Sequence, residues 1–155
     1  MSVKMIRIDD RLIHGQIVAA WAKCLSIKRI WIVDDAVAKD VFITNVMKMV
    51  SPPDTELVIT GTDELEKLVP EFDSADKNTL ILVKYPKVAK LLYEAGVGLR
   101  ELNVGGMGAN ADRKKLFKNI SASEEERATL KEMRDMGVKV YFQVTPNEKQ
   151  TLFEG

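Results

Sequence analysis

Short apolar, β-branched runs alternate with longer amphipathic ones along this chain. Residues 3–8 read as a first strand, and 16–23 as a helix with Ile17, Ala20 and Trp21 on its apolar face. Residues 29–33 form a second strand, closed by Asp34 and Asp35. The spacing of Val37, Val41, Val46 and Val50 predicts one helix over 36–50 with a buried face, stopped by Pro52 and Pro53. A third strand at 56–60 precedes a helix that Thr62-Asp63-Glu64 opens and that ends near Pro70. Residues 78–85, built on Leu80-Ile81-Leu82-Val83, are the most apolar strand and are expected near the sheet centre. Pro86 starts the next helix at a position where proline is tolerated, and Gly96 and Gly98 close it. A short strand at 101–104 runs into Gly105-Gly106-Met107-Gly108. Ser123 and Glu126 have the spacing of a capping box, heading a helix that stops at Gly137, and 138–144 is the last strand.

Strand–helix alternation of this kind predicts an α/β fold: one three-layer domain over 1–155, with a mainly parallel central sheet and helices on both faces. Such sheets bind ligands beyond the carboxyl ends of their strands. That rule selects the loops after Ile8, Val33, Thr60, Tyr85 and Val104. Together they hold His14, Asp34, Asp35, Gly61, Lys84 at one strand end, and the pair Gly105 and Gly106.

His14 is the only histidine, and it falls between an apolar run and a helix start, in Ile8-Asp9-Asp10-Arg11-Leu12-Ile13-His14-Gly15-Gln16. A phosphoryl group on this ring needs a neutral imidazole, which histidine alone offers readily near neutral pH. It needs the second ring nitrogen held by a carboxylate or carbonyl, for which Asp9 and Asp10 are candidates. It needs donors for the phosphoryl oxygens: Arg11 supplies a planar fork, and Gly15 and Gln16 open a helix whose free N–H groups favour an anion. The bland reading is a loop histidine that merely caps a helix, and the residues alone leave the two about even.

Composition narrows the class. The hydrophobic fraction of 46% is enough to fill one core, and 23 basic residues balance 23 acidic ones, so no net field draws the chain to nucleic acid. No apolar run approaches the ~20 residues of a membrane span, the first residues lack a signal-like apolar region, and Cys24 is alone, so a cytoplasmic protein is expected.

The chain also resembles the IIB subunits of the mannose–fructose–sorbose family of the bacterial phosphoenolpyruvate-dependent sugar phosphotransferase system. The resemblance rests first on Arg7-Ile8-Asp9-Asp10-Arg11-Leu12-Ile13-His14-Gly15-Gln16, a close match to that family's phosphorylation segment. It continues in Ile32-Val33-Asp34-Asp35, in Leu82-Val83-Lys84-Tyr85-Pro86, in Leu102-Asn103-Val104-Gly105-Gly106-Met107, and in Gln143-Val144-Thr145-Pro146. It implies a protein-N(pi)-phosphohistidine–sugar phosphotransferase: a separate IIA protein would phosphorylate His14, which would pass the group to a sugar held by membrane IIC and IID subunits. It names no metal or organic cofactor. His14 would be the phosphoacceptor, with Arg11, Gly15 and Gln16 on the phosphoryl oxygens and Asp9 and Asp10 shaping the loop. Asp34, Asp35, Gly105 and Gly106 would line the site without an assigned chemistry.

Competing readings are weaker. Cys24, near the end of the first helix, reads as a buried or half-buried structural thiol. Asp34 and Asp35 with Lys84 suggest a receiver-like domain with a divalent metal, but Thr60-Gly61-Thr62 lacks the acceptor aspartate such a domain needs. Gly105 to Gly108 lacks both the Walker lysine–serine pair and the dinucleotide fingerprint, so it reads as a tight turn. A non-catalytic small-molecule binding module requires an inert His14. Trp21, Trp31 and the Met47–Met49 pair fit core packing.

Overall fold

The computed structural model describes residues 2–74 and 76–155. Among these the first half of the chain runs β1 (Val3–Asp9), α1 (Gly15–Cys24), β2 (Arg29–Val33), α2 (Asp35–Ala38), α3 (Val41–Val50), β3 (Glu56–Thr60) and α4 (Leu65–Phe72). The second half runs β4 (Thr79–Val83), α5 (Pro86–Glu94), β5 (Glu101–Gly106), β6 (Lys114–Phe117), β7 (Ile120–Ala122), α6 (Glu124–Asp135), β8 (Lys139–Phe142) and β9 (Thr151–Leu152). Seven strands form one sheet in the order β3-β2-β4-β1-β5-β8-β9, parallel except for the β8–β9 pairing.

Every residue of β2 and β4 is buried, as expected of interior strands covered on both faces. On one face, α1, α2 and α3 pack Val18, Trp21, Val37 and Met47 over Met5, Ile30, Ile32, Leu80 and Leu82. On the other, α4, α5, α6 and the β6–β7 hairpin cover Ile6, Ile8, Trp31, Ile81, Val83 and Val104. Trp31 meets Phe72 edge-on with ring centroids 4.7 Å apart.

The elements differ from the sequence pattern in places with clear causes. The helix expected over 36–50 is two helices, because the Asp40 side chain accepts from Ile43 N and caps α3 anew. Val41, Phe42, Met49 and Val50 then face outward, so neither the valine stripe nor the Met47–Met49 pair is wholly core; only Val37 and Met47 are buried. Ser51 takes an extended conformation ahead of the prolines, which ends α3 where expected. In α1 the buried positions are Val18, Trp21 and Ala22, while Ala20 is exposed. Helix α4 begins at Leu65, after Glu64 in a left-handed conformation, and continues past Pro70 to Phe72. The β6–β7 hairpin and the two-residue β9 carry too little apolar pattern to be read as strands. The capping box forms: Ser123 Oγ accepts from Glu126 N, and Glu126 Oε1 accepts from Ser123 N, both at 3.0 Å.

Candidate functional site

Alternate residues of a strand share a face, and in β1 Met5, Arg7 and Asp9 all point toward α1. Arg7 and Asp9 are fully buried there, and buried charges persist only when paired and hydrogen-bonded. Arg7 NH1 donates to Asn103 Oδ1 at 2.5 Å and to the Gln143 carbonyl at 3.0 Å, while NH2 donates to Asp9 Oδ2 at 3.4 Å. Asn103 is the register partner of Arg7 on β5, so the sheet itself fixes this contact. The guanidinium lies 5.7 Å from the Trp21 ring centroid, and Trp21 Nε1 donates to the Val144 carbonyl at 2.9 Å. Burial lowers the pKa of Arg7 from the ordinary arginine value and Asp9 acts against that shift, so the guanidinium remains charged.

The glycines are explained by this pair. The β1–β5 ladder shifts by one residue between Ile8↔Val104 and Asp9↔Gly106, so Gly105 is the extra residue of a bulge. A Cβ on Gly105 would stand 2.0 Å from Arg7 Cζ, and one on Gly106 would stand 2.6 Å from Asp9 Oδ1. Only hydrogen fits at either position. The Gly105-Gly106 step is therefore a close-packed wall of the site.

Asp9 connects this buried charge to the loop. Its Oδ1 accepts from the Arg11 backbone N–H at 3.0 Å, and its Oδ2 lies 2.8 Å from His14 Nε2. The loop is anchored by Leu12 and Ile13, both 3% exposed, and turns through Leu12 at φ 58°. His14 is the N-cap of α1 in an extended conformation, with no side-chain cap bond. Its side chain is 18% exposed, so the ring is held yet reachable. With Nε2 as donor to Asp9, Nδ1 keeps its lone pair. Gly15 follows at φ +49° with open space around its Cβ position, so its conformation, not crowding, selects glycine. The N–H groups of Gly15 and Gln16 belong to the first turn, ahead of any helical acceptor.

Arg11 is the loose cation of the group. Its side chain is 61% exposed, and its Nε comes only within 3.9 Å of Asp9 Oδ1. Asp10 is fixed instead: its N–H donates to the Gly106 carbonyl at 2.9 Å, and its Oδ2 accepts from Gly108 N at 2.8 Å and Arg113 NH1 at 3.2 Å.

Asp34 and Asp35 form a second cluster at the same sheet edge, beyond β4 from β1. Asp34 is buried and caps α2 through Val37 N at 2.9 Å. Asp35 accepts from Thr62 N at 2.6 Å and from Thr62 Oγ1, bonds that lower its pKa below the usual carboxylate value. A Cβ on Gly61 would stand 2.6 Å from Asp35 Oδ1. Both carboxylates are occupied locally, and no hydrogen bond joins them to the His14 loop among the described residues. Cys24 is exposed, neither buried nor half-buried, because it ends α1 on its outer side, about 13.5 Å along the helix from Gly15. Among the described residues no group of three or more His, Cys, Asp or Glu side chains could hold a metal ion. Nor is any described helix long and apolar enough to cross a membrane.

Sequence reasoning missed Arg7, Asn103, Gln143 and Arg113 as parts of this assembly. Arg7 carried a usable signal: a charge at an inward position of an interior strand requires a buried partner. The others are joined only in space.

Comparison with known proteins agrees along the whole chain. The family model described as PTS system sorbose subfamily IIB component matches residues 3–154. The fructose-specific EIIB component of the phosphotransferase system from Bacillus subtilis (strain 168) is 29% identical over 150 residues, which is 96% of this chain and 91% of that protein. The mannose-specific EIIAB component from Escherichia coli (strain K12) is 28% identical over 140 residues, 90% of this chain but 43% of that longer protein. The crystal structure of the IIBSor domain of the sorbose permease from Klebsiella pneumoniae superposes with a TM-score of 0.88 at 28% identity, covering 97% of this chain and 93% of that one.

Proposed function

The chain belongs to the sorbose subfamily of IIB components of the sugar phosphotransferase system, and from that premise we propose that His14 is its phosphoacceptor. A IIA protein, phosphorylated on its own histidine, donates the group. His14 then passes it to a sugar presented by membrane IIC and IID subunits. The relative whose printed name joins EIIA to EIIB in one protein supports such a donor. The whole chain acts as one IIB-type phosphocarrier domain, working at the cytoplasmic side of the permease.

The observation that carries this reading is the 2.8 Å contact between His14 Nε2 and Asp9 Oδ2, at the N-terminus of a helix and beside an exposed arginine. It supports Nδ1 as the nucleophile. In the first transfer the donor's P–N bond breaks as the bond from phosphorus to Nδ1 forms. Nε2 keeps its proton, and Asp9 stabilises the positive charge gained by the ring. In the second, a sugar hydroxyl oxygen bonds to phosphorus, the P–Nδ1 bond breaks and its electrons return to the imidazole. The hydroxyl proton leaves to a base or to water.

Such transfers pass through a loose, in-line transition state, so positioning and charge carry the catalysis. Arg11 moves onto the phosphoryl oxygens, and the N–H groups of Gly15 and Gln16 complete the cradle. Asp10, Gly105 and Gly106 hold the loop. Asp34 and Asp35 shape the neighbouring loop and take no part in the chemistry. The test is transfer from a phosphorylated IIA protein to wild type and to His14→Ala, with the modified residue mapped. Acid-labile label on His14 and none on the variant is expected; equal labelling of the variant overturns the reading.

A further inference from the structure

Loop residues 108–112 are exposed, yet the Arg113 side chain that follows is only 6% exposed and turns inward. Its Nε and NH2 donate to the two oxygens of Glu126, at 2.8 and 2.9 Å, a fork-to-fork pair. Its NH1 donates to Asp10 Oδ2 at 3.2 Å and to the Gly108 carbonyl at 2.8 Å. Glu126 is in turn fixed by the α6 capping box. Three segments far apart in sequence thus meet on one guanidinium: the His14 loop, the loop after β5, and the start of α6.

We propose that Arg113 is a positioning residue for phosphoryl transfer, locking the His14 loop through Asp10. The inference rests on His14 being the phosphoacceptor. Asp10 is bonded directly to Asp9, whose carboxylate holds the imidazole. A displaced Asp10 therefore moves the ring relative to the incoming phosphorus, and in-line transfer tolerates little misplacement. Charge acts in the same direction. The site and its clamp contain three arginines, Arg7, Arg11 and Arg113, and three carboxylates, Asp9, Asp10 and Glu126. Arg7 and Arg113 are inside and paired, which leaves Arg11 free for the phosphoryl oxygens. Without Arg113, Asp10 in the His14 loop would lose its counter-ion next to the arriving dianion.

The test is single-turnover transfer from a phosphorylated IIA protein to wild type, Arg113→Met, Arg113→Lys, Asp10→Asn and the Asp10→Asn/Arg113→Met double variant. The maximal rate and the half-saturating donor concentration are both measured, with thermal melting as the folding control. In Arg113→Met the maximal rate is expected to fall roughly 10- to 100-fold, with the half-saturating concentration little changed. Lysine restores the charge without the fork and recovers part of the rate. The double variant is no slower than Arg113→Met, because both changes cut one connection. A wild-type maximal rate in Arg113→Met, a loss confined to donor affinity, or additive losses overturns the proposal. If the methionine variant does not fold, a folded Asp10→Asn or Arg113→Lys protein with unimpaired maximal rate overturns it equally. A wild-type protein that takes no label on His14 overturns the phosphoacceptor reading itself, a separate result.

Discussion

His14 Nε2 stands 2.8 Å from Asp9 Oδ2, the same oxygen that lies 3.4 Å from Arg7 NH2. One buried carboxylate therefore neutralises a buried arginine and orients the ring that we assign as phosphoacceptor. Asp9→Asn should fail at both tasks. An amide can present its NH2 group to Nε2 and so favour the wrong tautomer, and we expect the transfer rate to fall at least about 100-fold. It also leaves Arg7 without its counter-ion. Breaking a buried pair costs about 3–5 kcal/mol, so the melting temperature should drop together with the rate.

Arg11 should separate stability from activity. Its side chain is 61% exposed and only approaches Asp9. Arg11→Ala is expected to change stability by no more than about 0.5 kcal/mol, while phosphoryl transfer slows markedly. Thermal melting and a transfer assay on the same preparation check both halves.

The two glycines after β5 should not accept alanine. The Cβ of Gly105→Ala would stand 2.0 Å from Arg7 Cζ, and that of Gly106→Ala would stand 2.6 Å from Asp9 Oδ1. Overpacking costs about 1–3 kcal/mol, and here it pushes directly on the pair that holds His14. Both variants should melt earlier and transfer more slowly. Gly15→Ala meets open space but carries the strain of φ +49°, so its stability loss should be smaller.

Acid stability should depend on Glu126. Burial alone would raise its pKa, but the hydrogen bonds from Arg113 and from Ser123 outweigh burial and hold it below the usual value. A depressed carboxylate stabilises the fold fully above its unfolded-state pKa, about 4.3 for glutamate. That contribution is lost as pH falls below this value through the folded pKa. Glu126→Gln removes the titrating charge. Its melting temperature should lie below wild type at pH 7, and the gap should narrow below about pH 4. A gap that stays constant across this range contradicts the account.

Much of this architecture was legible in the chain. Each strand of the parallel sheet up to β5, and the capping box at Ser123 and Glu126, announced itself by pattern or by cap spacing. Two helices were read as one because the valine spacing bridged Asp40, whose capping bond to Ile43 is a local event that periodicity ignores. The outward-facing Val41, Val50 and Met49 mislead for the same reason. The β6–β7 hairpin escaped because its first strand, Lys-Lys-Leu-Phe, is half charged, and its turn runs through Lys118 at φ 48° instead of a glycine.

The candidate site was legible only where it is contiguous. His14, Arg11 and Asp9 lie in one short segment, and helix-start chemistry points at them. Arg113 lies 103 residues from Asp10 in sequence, and Gln143 lies 136 from Arg7; only the parallel crossovers bring them together. Cys24 reads as buried or half-buried because an isolated thiol in an apolar helix usually is. Its place at the outer end of α1 decides otherwise.

The most direct measurement is nitrogen-resolved NMR of His14 after phosphorylation by a phosphorylated IIA protein. The account predicts a phosphoryl group bonded to Nδ1, with Nε2 still protonated and hydrogen-bonded to Asp9. A phosphoryl group on Nε2, or label on any residue other than His14, would contradict it.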